Sequence, residues 1–192
     1  MTLLILGLVL FLGVHSTRLV ADDWRGAQLA RIGERAWKGL YSLISIAALA
    51  VLVWGYGQAR QEPVVLWSPP VWTRHVAALL MLVSAVLLVA AYVPRNAIKA
   101  KLQHPMLLAV KVWAVAHLLA NGNLADVLLF GAFLVWAVLD FRAARRRDRA
   151  AHTLYPPGTT AGTLKTVVIG VVAWAVFAFW LHDPLIGVRP FG

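Results

Sequence analysis

The spacing of apolar runs is what most constrains this chain. Six stretches carry few charges, at about residues 2–21, 40–57, 73–93, 105–120, 124–140 and 165–182. A bilayer core is about 30 Å thick and takes about 20 apolar residues of helix to cross, so each run is long enough, or nearly so. With 61% hydrophobic residues and 14% charged ones, the chain lacks the polar surface that a soluble domain of 192 residues presents. The reading is therefore all-α: one integral-membrane domain over residues 1–192, a bundle of six transmembrane spans. No soluble domain is left over once the spans are removed.

Punctuation falls between the runs. Pro69-Pro70 and Pro156-Pro157-Gly158 sit where missing backbone donors do least harm. Asn121-Gly122-Asn123 joins the fourth and fifth runs, and Asn and Gly tolerate the left-handed backbone of a tight helical hairpin. The first run has no basic n-region and no small-residue cleavage site, so it reads as a span and not as a signal peptide. With no cysteine, the chain offers no disulfide, thiolate ligand or thiol nucleophile.

The net charge of +10 is unevenly spread. Alternate loops hold Arg18, Arg25, Arg31, Arg35 and Lys38, then Arg95, Lys99 and Lys101, then Arg142, Arg145, Arg146, Arg147, Arg149 and Lys165, 14 of the 18 basic residues. The opposite side holds only Arg60, Arg74 and Arg189. Lys and Arg accumulate in cytoplasmic loops, which puts both termini outside the cytoplasm. Topology and anionic headgroups account for the basic loops, and no nucleic-acid-binding fold accompanies them. No Gly-rich phosphate loop, zinc spacing or Ser-His-Asp order supports a soluble enzyme either.

Chemistry is left to a few polar residues inside apolar runs. His15 lies about 9 Å from the cytoplasmic end of the first span, and His117 about 18 Å above that end of the fourth. Ionisable residues at such depths face a bundle interior and mark sites, although a neutral histidine bonded to another helix fits as well. His75 opens the third span near the predicted height of His117. Trp113 and His117 are an i, i+4 pair on one helix face. His104, before Pro105, is about 20 Å along the helix from His117 and about 140° round it, so the two cannot share a metal ion. Lys111 lies near the His104 face, placed to neutralise a carboxylate in the bundle or to pair with Asp140. Asp126 fits a helix N-terminus. His152 and His182 read as interfacial.

Two histidines from different spans, with no thiolate and with Glu34 and Glu62 both in loops, suit a haem better than other metals. Zinc takes three or four ligands, and a di-iron bundle takes Glu-x-x-His pairs. A single- or bis-histidine b-type haem needs only what is present. Arg18, three residues after His15, and Arg74, beside His75, are expected partners for its propionates.

At these residues the chain resembles the NnrU family of bacterial inner-membrane proteins, over nearly all of residues 1–142. The likeness rests on "LGLVLFLGVHSTRL", "YSLISI", "WGYGQAR", "SPPVWTRHVAALLMLVSAVLLVAAY", "HPMLLAVKVWAVAHLLANGNLADVLLFGAF" and "WAVLDF". The resemblance implies two functions. One is a haem-bearing accessory or sensor for denitrification, with nitric oxide as ligand. The other is cis-trans isomerisation of a lipophilic polyene, since 15-cis-zeta-carotene isomerase shares the domain and carries haem b. It also implies His15 with His117 as axial ligands, whereas predicted depth favours His75 with His117. Without cysteine, a ligand exchange from histidine to thiolate is unavailable to an isomerase. "QHPMLL" is faintly similar to a segment of isoprenylcysteine-type methyltransferases, which bind S-adenosylmethionine, but "RRRDRAAHTLYPPG" downstream lacks the acidic residues they use.

Overall fold

A computed structural model describes residues 1–191, and among these the chain is helical apart from its loops and one isolated bridge between Val65 and Asn123. The helices are α1 (Thr2–His15), α2 (Thr17–Val20), α3 (Asp22–Ile32), α4 (Glu34–Ala59), α5 (Trp72–Tyr92), α6 (Ala97–Leu102), α7 (Pro105–Ala120), α8 (Leu124–Ala150), α9 (Thr160–Val176) and α10 (His182–Ile186). A π-helical turn, Phe177–Leu181, joins the last two. The chain divides into two compact units, one of Met1–Trp67 with Gly122–Asp140, the other of Ser68–Asn121 with Phe141–Gly192.

Among the described residues, four helical stretches are long and apolar enough to cross a bilayer: Glu34–Ala59, Trp72–Tyr92, Leu124–Ala150 and Thr160–Ile186. The remaining two runs form the shorter apolar helices α1 and α7, of 14 and 16 residues. At 1.5 Å per residue these are about 21 and 24 Å long, less than a hydrocarbon core. Of the six spans expected, four fall on helices long enough to cross a bilayer and two on shorter ones.

In the first unit, the run expected at 2–21 breaks after His15. The Thr17 hydroxyl donates to the Val14 carbonyl at 2.6 Å, and the Ser16 N–H is shared between the carbonyls of Leu12 and Gly13. Hydroxyls that bond nearby backbone compete with helix continuation. What was read as the first loop is largely α3, separated from α4 by Gly33 at φ +81°, a conformation that carries no steric cost without a Cβ. α1 packs along α4 through small residues: Gly7 lies against the Leu52 backbone, and Gly55 against Leu3 and Leu4. Without a solvent-driven force between helices in lipid, such close approach supplies the packing contact. Leu4, Leu8, Ala48 and Leu52 are buried along this seam.

The turn before α8 corrects another expectation. No left-handed residue occurs at 121–123, and Asn121 is extended at φ −127°, ψ 141°. Gly122 is required for proximity, since a Cβ there would strike the Trp67 carbonyl oxygen. The segment 64–67 pairs with the turn, Leu66 N–H donating to Gly122 O and Leu124 N–H to Val64 O, each at 2.8 Å.

In the second unit, α5 packs against α7 and α9. The buried Ser84 hydroxyl donates to Ala109 O at 2.9 Å, and Gly170 of α9 lies against Val86. The turn into α6 is organised by buried Asn96, which donates to Ala90 O and Val93 O and caps α6 by accepting from Lys99 N–H. The basic residues expected in a fifth loop instead ride on the continuing α8, where Ala and Arg are good helix formers. α9 starts at Thr160, five residues ahead of the expected span, because the Thr159 hydroxyl caps the Gly162 N–H. Leu164, Val168, Val172 and Trp180 stay exposed, as residues of a lipid-facing helix do.

Candidate functional site: two histidine settings

His15 is the last residue of α1. Its Nδ1 lies 2.7 Å from the carbonyl of Phe11, one turn back. A carbonyl only accepts, so Nδ1 carries the proton and Nε2 presents a lone pair. Four aromatic side chains of the same unit form the surroundings. Phe11 stacks on the imidazole at 4.2 Å, Tyr41 and Trp136 meet it edge-on at 5.5 and 6.2 Å, and Phe133 lies 5.8 Å from Phe11. The indole N–H of Trp136 is buried and makes no hydrogen bond among the described residues. A buried donor left in that state costs about 1–3 kcal/mol.

His117 repeats the arrangement in the second unit. Its Nδ1 lies 2.8 Å from the Trp113 carbonyl, again one turn back, which fixes the same tautomer. The Trp113 ring is 5.3 Å from the imidazole, so the wall expected from the i, i+4 spacing is present. Asn121 locks the end of α7 by donating both its backbone and side-chain N–H to His117 O, each at 2.9 Å. Metal-ligating histidines typically donate their second ring N–H to a carbonyl or carboxylate, fixing ring orientation and raising basicity. Both histidines are prepared in that way by their own helices.

The other expected site residues divide. Ser84 marks the side of α5 that bonds α7, and His75 stands nine residues before it, about 13 Å along and half a turn round. His117 is eight residues past Ala109, about 12 Å along α7, which runs back after the α6 turn. The level inferred for His75 therefore agrees with that of His117, while its direction does not, and His75 is exposed. Arg18 is exposed and lies 3.9 Å from Asp22 on its own side of the chain. Arg74 is exposed beside His75. Lys111 was expected to meet a carboxylate. Its ammonium stands over the ring of Phe141, 3.8 Å from the centroid, a cation–π contact within the second unit.

Two polar clusters went unseen in the sequence. In the second unit, His104 Nε2 and the Tyr155 hydroxyl both donate to Asp148 Oδ2, at 2.7 and 2.8 Å, and Arg145 donates to Gln103 beside them. Burial and the hydrogen bond to the Asp148 carboxylate push the Tyr155 phenol up to about 12. Asp148 was visible as one acid amid arginines, but its 44-residue separation from His104 gave no local signal. In the first unit, Asp126 is 4% exposed and accepts from the Tyr56 hydroxyl at 2.5 Å and the Asn123 amide at 3.0 Å. That cluster fastens the start of α8 to α4. His152 is exposed, and His182 Nδ1 donates to Val188 O.

Among the described residues there is no group of three or more His, Asp or Glu side chains placed to hold a metal ion alone. What the donor set fits is a cofactor that brings its own equatorial ligands and asks the protein for imidazole. Haem is of that kind. The aromatic walls and the unsatisfied Trp136 N–H at His15 are consistent with a large planar ligand carrying acceptor atoms.

Four apolar helices long enough to span a bilayer, beside two shorter ones that carry His15 and His117, define a membrane-type helical protein. The chain belongs to the NnrU family: the family described as NnrU protein matches residues 3–190. That match runs well beyond residue 142, where legible motifs thin out, and takes in α9 and α10. No curated protein and no solved structure matches the chain.

Proposed function

We propose that the protein is a b-type haem protein of the bacterial inner membrane, accessory to or sensing for denitrification through nitrite and nitric oxide reduction. His117 and His15, each within its own unit, are the imidazoles that would hold a haem iron. The observation that carries this reading is the repeated Nδ1–carbonyl bond, which leaves each of these two histidines with Nε2 as its ligating nitrogen. Haem would supply a redox-active iron that binds small ligands such as nitric oxide. The chain's part is to fix the tautomer at His15 and His117, to wall the imidazoles with Trp113, Phe11, Tyr41 and Trp136, and to hold a propionate through Lys111. Family membership supports the link to denitrification. The 14-to-3 division of basic residues supports six crossings with both termini periplasmic, α1 and α7 tilting little or thinning the bilayer to cross.

The test is complementation. In a denitrifying host deleted for its own family member, the wild-type chain should restore nitric oxide consumption and His117→Ala should not. Equal restoration by both would remove iron ligation from the function, and restoration by neither would remove the denitrification role.

A further inference from the structure

The indole N–H of Trp136 is a buried donor in the His15 setting that makes no hydrogen bond among the described residues. Indole is donor-only, so its partner has to be an acceptor. The neighbouring imidazole cannot serve while its Nε2 is committed to a ligand, and its Nδ1 is already bonded to Phe11 O at 2.7 Å. Phe11 and Phe133 offer no acceptor at all. The indole plane stands at 88° to the imidazole with 6.2 Å between ring centroids, an edge contact. A large planar group bound at His15 Nε2 extends beyond the imidazole, so its rim comes within reach of Trp136. Arg18, the cation nearest in sequence, is exposed and lies 3.9 Å from Asp22.

We propose that Trp136 is a cofactor-positioning residue: its N–H donates to a peripheral carboxylate of the tetrapyrrole held at His15. This rests on the haem reading and adds a residue to it. A carboxylate is the acceptor of choice because a hydrogen bond to an ionised oxygen is about twice as strong as a neutral one, the more so in a low-dielectric surrounding. The bond forms only on cofactor binding, which explains why a buried donor stands unsatisfied in the protein alone.

The experiment compares haem b with its dimethyl ester, in which both carboxylates are masked, on the purified full chain in detergent. Trp136→Phe should lose about tenfold in affinity for haem b, the size of one charge-assisted hydrogen bond, and bind the dimethyl ester as well as wild type does. A loss of the same factor for both ligands would mean that the ring only packs, and no loss for either would mean that it does neither; each overturns the proposal. If Trp136→Phe fails to fold, the indole N–H band in the ultraviolet resonance Raman spectrum of the wild type decides. Haem b should shift one indole toward a stronger hydrogen bond and the dimethyl ester should not, and identical spectra would overturn the proposal. A wild type that takes up neither ligand rejects the haem reading itself, an outcome distinct from uptake with an unmoved indole.

Discussion

At the scale of single residues, the histidines were legible as chemistry and only partly as geometry. His15 and His117 stood out because imidazoles in apolar runs need partners. The helix itself supplies those partners for Nδ1, a backbone contact that any i−4 carbonyl can make and that leaves no mark in composition. The level of His75 followed from counting residues, but its direction depended on which side of α5 bonds α7, and that is set by Ser84 finding a carbonyl on another helix. Lys111 shows the same limit. A counter-charge was the natural expectation, and the contact seen within the second unit is the ring of Phe141. A cation–π contact contributes about 0.5–1 kcal/mol, less than desolvation of an ammonium takes away in an apolar span. Lys111→Met should therefore leave the apoprotein as stable as wild type or slightly more so in a thermal melt. If the ammonium holds a propionate, the same variant should bind haem about tenfold more weakly. A destabilised apoprotein with unchanged haem affinity would place the role of Lys111 wholly within the protein.

Among elements, helix existence was readable from apolar runs, and helix ends were not. The break after His15 depends on a Thr17 hydroxyl, the start of α9 on a Thr159 cap, and the length of α8 on arginines that read as loop because they are charged. The α1–α4 seam is fixed by glycines whose Cβ positions are already filled by Leu52 and by Leu3 and Leu4. Gly55→Ala should force the helices apart at a cost of about 1–3 kcal/mol, seen as a lower melting temperature in detergent. Gly57→Ala, on the same helix with open space around it, should be neutral or mildly stabilising. Equal melting of the two variants would argue against this seam. The Tyr155–Asp148–His104 cluster ties the segment after α8 to the start of α7, and Tyr155→Phe should cost about 1 kcal/mol near neutral pH. The phenol is raised from 10.0 to about 12, so its contribution is complete below pH 10 and fades as pH climbs toward 12. Over that window the wild type should lose stability faster than Tyr155→Phe, and parallel pH profiles would show that the phenol proton is not held by Asp148.

For the whole molecule, fold class and family were both within reach of the sequence, since hydropathy sets the class and the "HPMLLAVKVWAVAHLLANG" block marks the family. Crossing number was not, because two of the six runs make helices shorter than a bilayer core and length alone does not say how they sit in it. Topology is open to direct measurement. A phosphatase reporter fused after Gly192 should be active, as it is only outside the cytoplasm, and a fluorescent reporter that matures only inside should stay dark there; the reverse pattern would contradict the charge-based orientation. Iron ligation is tested most directly by one absorption spectrum. Full-length protein, expressed with haem supplied and purified in mild detergent, should show a Soret band. That band should be largely lost per folded protein in His117→Ala and altered in His15→Ala, while His75→Ala and His104→Ala match the wild type. A folded wild type with no Soret band, or a His117→Ala variant with an unaltered one, would contradict the account.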